Sequence, residues 1–442
     1  MTETSQTNSL FNISDKTKNR NAAERRFRIY GILAISIGLL MLLVLASTII
    51  LRGTSAFQQT FITLEVDLLE SKLDKKGNRS IDDIKKVSTF GYSPILVNAL
   101  KKVLEKHEIS TSLKKKALGG IISKSAPSQI RDFVLEDVNR IGQTVEFKFL
   151  VNGWIDGYIK GRYSRESVAN SKFASAEQFD LIDQLLEVGV VEKKFNFDFI
   201  FGADASDQRP EAAGFGVAMV GSFYLMLVVL VLSLPLGVAA SIYLEEFAKQ
   251  NVFTDIIEVT ISNLAAVPSI VFGILGLAVF INYMHLPQST PIVGGLVLTL
   301  MTLPTIIIST RASLKSVPPS IRDAALGLGA SKMQTVFHHV LPLAAPGILT
   351  GTIIGMAQAL GESAPLLLIG MIGYVATNMP NTISEGLLSP NSAMPAQIYE
   401  WAKRADPAFI ERAWGGIIIL LIFLLTMNTM AVILRRRFER RW

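Results

Sequence analysis

The chain contains no cysteine. Disulfides, thiolate nucleophiles and cysteine-ligated metals are therefore excluded. Only four histidines occur in 442 residues, scattered without metal-ligand spacing. No G-x-x-x-x-G-K-[ST] loop is present, since "GGIISKS" at 119–125 fails the spacing. A chain without that loop is not expected to be an ATPase. There is no internal repeat, and charged residues make up only 18% of the chain.

What the chain has instead is apolar sequence. Half of its residues are hydrophobic and the mean hydropathy is +0.39. A bilayer-spanning helix needs about 20 consecutive apolar residues. Six runs qualify, at 30–51, 217–243, 258–283, 291–310, 345–371 and 414–434. Backbone groups in lipid must be satisfied within the segment, so these runs are expected to be helices. The alternation of a transmembrane barrel is absent from them. The first run is longer than the apolar core of a cleaved signal peptide and follows a long basic segment, so it is expected to remain as a span.

The net charge of +6 is modest, and its placement is more informative. Lys16, Lys18, Arg20, Arg25, Arg26 and Arg28 precede the first run, and "RRRFERRW" follows the last. Both termini are therefore expected in the cytoplasm, and six spans put both on one side, so parity and charge agree. The loop "MHLPQSTP" (284–291) lacks Lys and Arg and is expected outside. The loop at 311–344 carries Arg311, Lys315, Arg322 and Lys332 and is expected inside. This distribution is a topology signal and not a nucleic-acid footprint.

The runs divide the chain. Residues 1–29 read as a mobile, basic cytoplasmic tail and 30–51 as the first span. Residues 53–212 are of mixed polarity and long enough for a domain of their own. Residues 213–442 hold five spans with short connections. Within 53–212, "TFITLEVDL" (60–68) alternates as a half-buried strand. "SPILVNALKKVLEKH" starts at Ser93 and Pro94 as a capped helix. "VEFKFLVNGWIDGYI" (145–159) reads as a hairpin turning at Asn152-Gly153. "SAEQFDLIDQLLEVG" pairs Ser175 with Gln178 as a capping box and ends near Gly189. An α+β domain follows, with Trp154 and Tyr158 in its core and no sign of catalysis.

The loop "SVPPSIRDAALGLGASKMQTVFHHVLP" (316–342) is the most informative stretch. Ser320 caps a helix expected from Ile321, with Asp323 three residues on. Gly327 and Gly329 end that helix. Ser331 caps a second, with Gln334 in the capping-box position, and Pro342 stops it. The first helix presents small residues, Ala324, Ala325, Gly327 and Gly329, to whatever approaches it.

This loop resembles that of ABC-importer permeases, which carry Glu-Ala-Ala, three residues, Gly, nine residues, then Ile, any residue, Leu-Pro. Asp323-Ala324-Ala325, Gly329 and Leu341-Pro342 stand at those spacings. Asp323 replaces the usual Glu, and His339 stands where Ile is usual. "AAVPSIVFGILGLAVF" (265–280) and "ALGESAPLLLIG" (359–370) resemble phosphate-transport permeases. "MPAQIYEWA" (394–402) and "RAWGGIIILL" resemble their PstA rather than their PstC subunits. The 53–212 insertion resembles the extra domain of a longer PstA subgroup.

The resemblance implies an all-α polytopic membrane protein of the bacterial inner membrane. It would have six transmembrane helices of the ABC-importer permease type, with an α+β extracytoplasmic domain inserted between helices 1 and 2. It implies a non-catalytic subunit of an ATP-driven phosphate importer. Arg322, Asp323, Ala324, Ala325, Gly329, Leu341 and Pro342 would contact the ATPase. The chain itself would bind no cofactor, since ATP and Mg belong to the ATPase. The implied partners are a PstC-like permease subunit, a PstB-like ATPase dimer, a PstS-like periplasmic phosphate-binding protein, a phosphate-signalling regulator and membrane lipid, with no nucleic acid. The loop motif alone leaves two alternatives open: a permease for molybdate or sulfate, and a membrane sensor.

A carboxylate inside a span is costly and usually faces a pathway or a partner charge. Glu362, beside Ser363, either lines the anion route or is a packing carboxyl. Related permeases often carry Arg a few residues before this position; here Gln358 occupies that region. Arg311 is either an interfacial anchor or part of the inner mouth. Gly347, Gly351 and Gly355 form a small-residue stripe that permits close helix packing. Pro268 and Pro304 are expected to interrupt spans three and four.

Overall fold

The computed structural model describes residues 15–74, 77–168, 174–371, 380 and 382–438. The first helix, α1 (Asp15–Gly53), is unbroken and long and apolar enough to cross a membrane. It starts well before the expected span. Residues 15–29 contain no glycine or proline to stop it, so the basic tail is helical from Asp15. Residues 1–14 and the last four of "RRRFERRW" lie outside the described residues.

The alternating segment becomes β1 (Gln58–Asp67), the middle strand of an antiparallel sheet. Helices α2 (Ser93–Lys106) and α3 (Ala126–Glu136) follow it, then β2 (Thr144–Leu150), which pairs along one edge of β1. Beyond come α4 (Gly153–Ile159), α5 (Ala176–Glu187) and β3 (Val191–Phe195), which pairs along the other edge. Ile62, Leu64, Val66 and Leu68 are fully buried, under Leu100 of α2, Ile130 of α3 and Phe179 of α5. Tyr158 stacks on Phe179 with centroids 4.1 Å apart, and both Trp154 and Tyr158 pack on this core. Gln178 accepts from the Ser175 backbone N–H at 3.0 Å, as a capping box requires, and Gly189 is left-handed.

The hairpin expected at Asn152-Gly153 does not form. The Asn152 side chain instead accepts from the Trp154 backbone N–H at 3.0 Å and caps α4. Asn followed by Gly serves a helix start as well as a hairpin turn. Tertiary context decides, because α4 carries Asp156 to the backbone of β1.

From α4 the domain is joined to the membrane part through buried charge. The last helix, α16, runs from Pro407 to Phe438. Asp156 accepts from the N–H and hydroxyl of Thr60, at 3.1 and 2.9 Å, and from Lys160 at 2.9 Å. Lys160 also reaches Glu411 at 2.9 Å, and Arg162 bridges Asp156 and Glu411. Arg412 is 3% exposed; it donates to the Ala56 carbonyl at 3.2 Å, Gln59 at 2.6 Å and the Glu211 carbonyl at 2.9 Å. The Glu211 carboxylate accepts from Ser123. Asp156, Glu211 and Glu411 thus balance Lys160, Arg162 and Arg412 in one filled cluster. A second tie runs through Asp204, which accepts from Gln397 and Trp401, each at 3.0 Å.

The main elements from the end of the domain through the membrane part follow. They are α6 (Phe197–Phe201), α7 (Gly216–Ile242), α8 (Val252–Ala265), α9 (Ser269–Leu275), α10 (Pro291–Lys315), α11 (Pro319–Gly327), α12 (Lys332–Thr335), α13 (Leu341–Gly361), α14 (Ala364–Leu368) and α15 (Met394–Lys403). Five helices are long and apolar enough to span a membrane among the described residues. The expected third span is not one helix. It bends by 102° between Val252–Ala265 and Ser269–Tyr283, and makes a sixth span only if the bent pair is counted as one. Pro268 supplies no N–H and disfavours helical backbone at Val267, which accounts for the break. Pro304, by contrast, lies inside an unbroken α10.

Small residues set how closely α7, α10 and α13 approach. A side chain at Gly295 would meet Val228 at 2.5 Å, and one at Gly237 would meet Ile306 at 2.7 Å. The Gly347 and Gly351 stripe packs inside the chain against Ser313 and Ser309 of α10. Both serines bond back to their own helix, at Ser309 and Ile306 carbonyls, which keeps them thin. Gly355 is looser, 3.4 Å from Ile306.

Two predictions follow from this packing and this seam. A Cβ at Gly351 would lie 2.4 Å from the Ser309 Cβ, so Gly351→Val should lower stability by about 1–3 kcal/mol. Gly355→Ala should be tolerated, and thermal unfolding in detergent would compare the two. Burial lowers the Lys160 ammonium from 10.5 to about 8, with Asp156 opposing the shift. Between those values the unfolded chain holds a proton that the folded chain has released. This group therefore makes the fold more stable as pH rises from about 8 to 10.5, and less so below. Lys160→Met should remove that part of the pH slope in denaturant titrations.

Candidate site: the α10–α13 loop and the two helix breaks

The loop begins with Val317-Pro318-Pro319, and α11 starts at Pro319, two residues before the expected Ile321. Proline at the first helical position needs no N–H partner, so Ser320 is not required as a cap. Gly329 is left-handed at φ +88°, and the Ala330 N–H bonds to the Ala325 carbonyl at 3.1 Å. That closes α11 as glycine commonly closes a helix. Ser331 accepts from Gln334 N–H at 3.2 Å, and Gln334 accepts from Ser331 N–H at 2.8 Å, so the second capping box is present.

Pro342 does not stop the second helix. α12 widens into a π turn at Val336–Val340 and continues directly as α13, with Pro342 in its first turn. A local π adjustment before a proline lets the freed backbone groups find other partners. Leu341 is half-buried and Pro342 exposed.

Arg322 turns inward. Its guanidinium donates to Glu246 at 2.7 Å and to the carbonyls of Val317 and Leu314 at 2.7 and 2.9 Å. It therefore fixes α11 to the end of α10 and to the π turn Tyr243–Phe247 that ends α7. Glu245, next along that turn, accepts from Arg311 at 3.4 Å and lies 3.6 Å from Lys315. Arg311 also donates to Glu258 of α8. Sequence reasoning missed Glu245, Glu246 and Glu258. The available signal was two adjacent acids at the end of a span in an otherwise basic region.

Ala325 is buried under the loop, while Asp323, Ala324, Gly327 and Gly329 are exposed. The loop also exposes large apolar side chains that the sequence reading passed over. Leu328 is 90% exposed, and Leu326, Met333 and Phe337 are exposed beside it in sequence. Their signal was apolar residues in a loop expected in water: Leu326 and Leu328 beside glycines, Met333 and Phe337 further on. Such a concentration of large exposed apolar groups marks an interaction surface.

At its other end α13 stops at Gly361. Glu362 is extended, at φ −82° and ψ 124°, so it sits at a break and not inside a span. Glu362 and Ser363 are half-buried, and Gln358 is exposed one turn earlier. Among the described residues the Glu362 carboxylate has no hydrogen-bond or ion-pair partner. Beyond the break, α14 packs on α9, the helix that follows the break at Pro268. A side chain at Gly273 would lie 2.7 Å from Pro365. Irregular backbone at membrane depth is tolerated where protein or a cavity covers it. Arg311 lies near the level of Gly347 and Gly351, and Glu362 is about 16 Å further along at 1.5 Å per residue. The structure therefore does not bring those two residues together.

Comparison with known proteins adds to this geometry. Residues 233–442 match the family described as binding-protein-dependent transport system inner membrane component. Residues 14–169 match a domain of unknown function, DUF3333. The chain is similar to the probable ABC transporter permease protein YqgI of Bacillus subtilis, at 34% identity over 50% of this chain and 78% of that one. It is also similar to the phosphate transport system permease protein PstA of Yersinia pestis, at 31% identity over 50% and 73%. An inward-facing structure of the MetNI methionine ABC transporter aligns with a TM-score of 0.39 at 16% identity, covering 51% of this chain and 94% of that one.

Arg322→Ala would leave the Glu246 carboxylate without its charge partner and remove a donor from the Val317 and Leu314 carbonyls, of which Leu314 keeps the Val317 N–H at 3.3 Å. We expect a loss of about 1–3 kcal/mol in local stability, read as faster hydrogen exchange over 317–331. Arg322→Lys should restore only part of it, because an ammonium cannot reproduce the planar fork.

Proposed function

We propose, from the premise that the chain belongs to the binding-protein-dependent transport system inner membrane component family and is a PstA-type ABC permease, that it forms half of the pathway of an ATP-driven inorganic phosphate importer. The observation that carries the coupling part is the exposed apolar face of Leu326, Leu328, Met333 and Phe337 on a loop braced from behind by Arg322. That face would seat in a cleft of an ATPase subunit. When nucleotide binding draws the ATPase dimer together, α11 is pushed sideways. The Arg322–Glu246 pair passes the push to α7, and Arg311 with Glu245 and Glu258 passes it to α10 and α8.

In this reading α7, α10 and α13 move together, because the glycine contacts leave no slack between them. The layer of α9 and α14, after the breaks at Pro268 and Glu362, then borders the route. Glu362, with Ser363 and Gln358 nearby, faces it as a gate or as the partner of a cation on the second permease subunit. A carboxylate would not attract phosphate by itself. The chain performs no chemistry; ATP and Mg belong to the ATPase. The termini and the α10–α13 loop lie in the cytoplasm, and the inserted domain faces the phosphate-binding protein outside. A phosphate-signalling regulator would be a further partner.

The test is uptake of labelled phosphate, with molybdate and sulfate as competitors, in cells lacking any second phosphate importer. Leu328→Asp, or Gly329→Val at its left-handed position, should abolish most uptake while the protein remains in the membrane. Normal uptake in both variants would sink the coupling assignment. Competition by molybdate or sulfate would move the substrate to another oxyanion.

A further inference from the structure

The segment "FNFDFIF" (195–201) carries a phenylalanine at every second position, and its outward members are unexplained by the fold. Phe199 is fully buried, but Phe195 is 49%, Phe197 65% and Phe201 62% exposed. Phe195 and Phe197 meet edge to face at 4.8 Å, so these two exposed rings form one surface. Phe197 and Phe201 are four residues apart on α6 and share one face of it.

The height of α6 along the membrane part is fixed by two spanning helices. The Phe199 carbonyl accepts from Phe215 N–H at 2.7 Å, and the Gly202 carbonyl from Gly216 N–H at 2.9 Å, at the start of α7. A side chain at Gly415 of α16 would meet the Phe199 ring at 2.8 Å. Gly216 and Gly415 lie where the two apolar stretches begin. The exposed rings therefore stand at the level at which two spans enter the hydrocarbon. Lys193 and Lys194 precede them on β3 and are exposed, Lys193 bonded to the Ile159 carbonyl and Lys194 paired with Glu192. Phe side chains with Lys nearby are a make-up found in segments that lie in the membrane interface.

We propose that Phe195, Phe197 and Phe201 insert into the headgroup–acyl boundary of the leaflet on the side of the inserted domain, and hold that domain against the lipid surface. The partner is the bilayer itself. This inference rests only on α7 and α16 spanning the membrane, and not on the identity of the substrate.

The absence of cysteine makes the test direct. Phe197→Cys and Phe201→Cys would be spin-labelled in the full chain, in nanodiscs of phosphatidylethanolamine and phosphatidylglycerol. Lys106→Cys, on the domain surface, gives the aqueous reference, and Leu425→Cys, exposed on α16, the lipid reference. Labels at 197 and 201 should collide more with oxygen than with a water-soluble nickel chelate, as at 425. Collision with nickel as at 106 would overturn the proposal. Protection from both reagents would overturn it too, by placing protein over the patch. Phe197→Trp in brominated lipid gives an independent reading. Emission should fall beyond the loss seen for the unsubstituted chain, and no added loss would count against insertion.

Discussion

A single buried guanidinium, that of Arg412, organises the junction between the two materials of this chain. It gathers the Ala56 carbonyl, Gln59 of β1 and the Glu211 carbonyl around the first turns of α16. A cation so enclosed is tolerable only because other charges compensate it and its donors are used. Asp156, Glu211 and Glu411 supply the compensation, with Lys160 and Arg162 completing the balance. Such clusters contribute little net stability compared with apolar packing, but removing one member leaves its neighbours uncompensated. The cluster therefore acts on geometry: it fixes where the sheet stands relative to the last helix.

At the opposite end of the spans a second set of ion pairs has a different character. Arg322–Glu246 and Arg311 with Glu245 and Glu258 are partly exposed and tie the short loop helix to α7, α8 and α10. Between the two sets, glycine-to-serine and glycine-to-valine contacts hold three helices at close approach. The breaks at Pro268 and Glu362 lie beyond this tightly packed layer. Those breaks, and the three π turns at Tyr243–Phe247, Gly276–Tyr283 and Val336–Val340, are where the helices depart from regular geometry.

Local features were legible in the sequence. The alternation of Ile62 to Leu68, the Ser175–Gln178 and Ser331–Gln334 capping boxes and the turn at Gly329 depend on residues a few positions apart. The run at 258–283 was legible as apolar and, from Pro268, as interrupted, but a lone proline does not set the angle of the bend, and Pro304 in α10 makes no break at all. Pro342 and Asn152 were misread for a related reason. Each suits two local structures, and the choice was made by partners elsewhere: the π turn for one, Thr60 for the other. The buried cluster left no trace, since Asp156 and Glu411 are far apart in sequence and an isolated charge reads as surface. The apolar rim of the loop was overlooked because the small residues between its members carried the family motif.

The electroneutral junction also bears on descent. By composition, residues 53–212 look like a cassette that could be gained or lost whole. Yet Glu411 and Arg412, near the far end of the chain, are shaped to its interior. Without the domain, Glu411 would lose Lys160 and Arg162, and Arg412 would lose Gln59. The insertion and the last helix thus share one charge balance in this chain, and a graft that moves either alone should carry the other's charges with it.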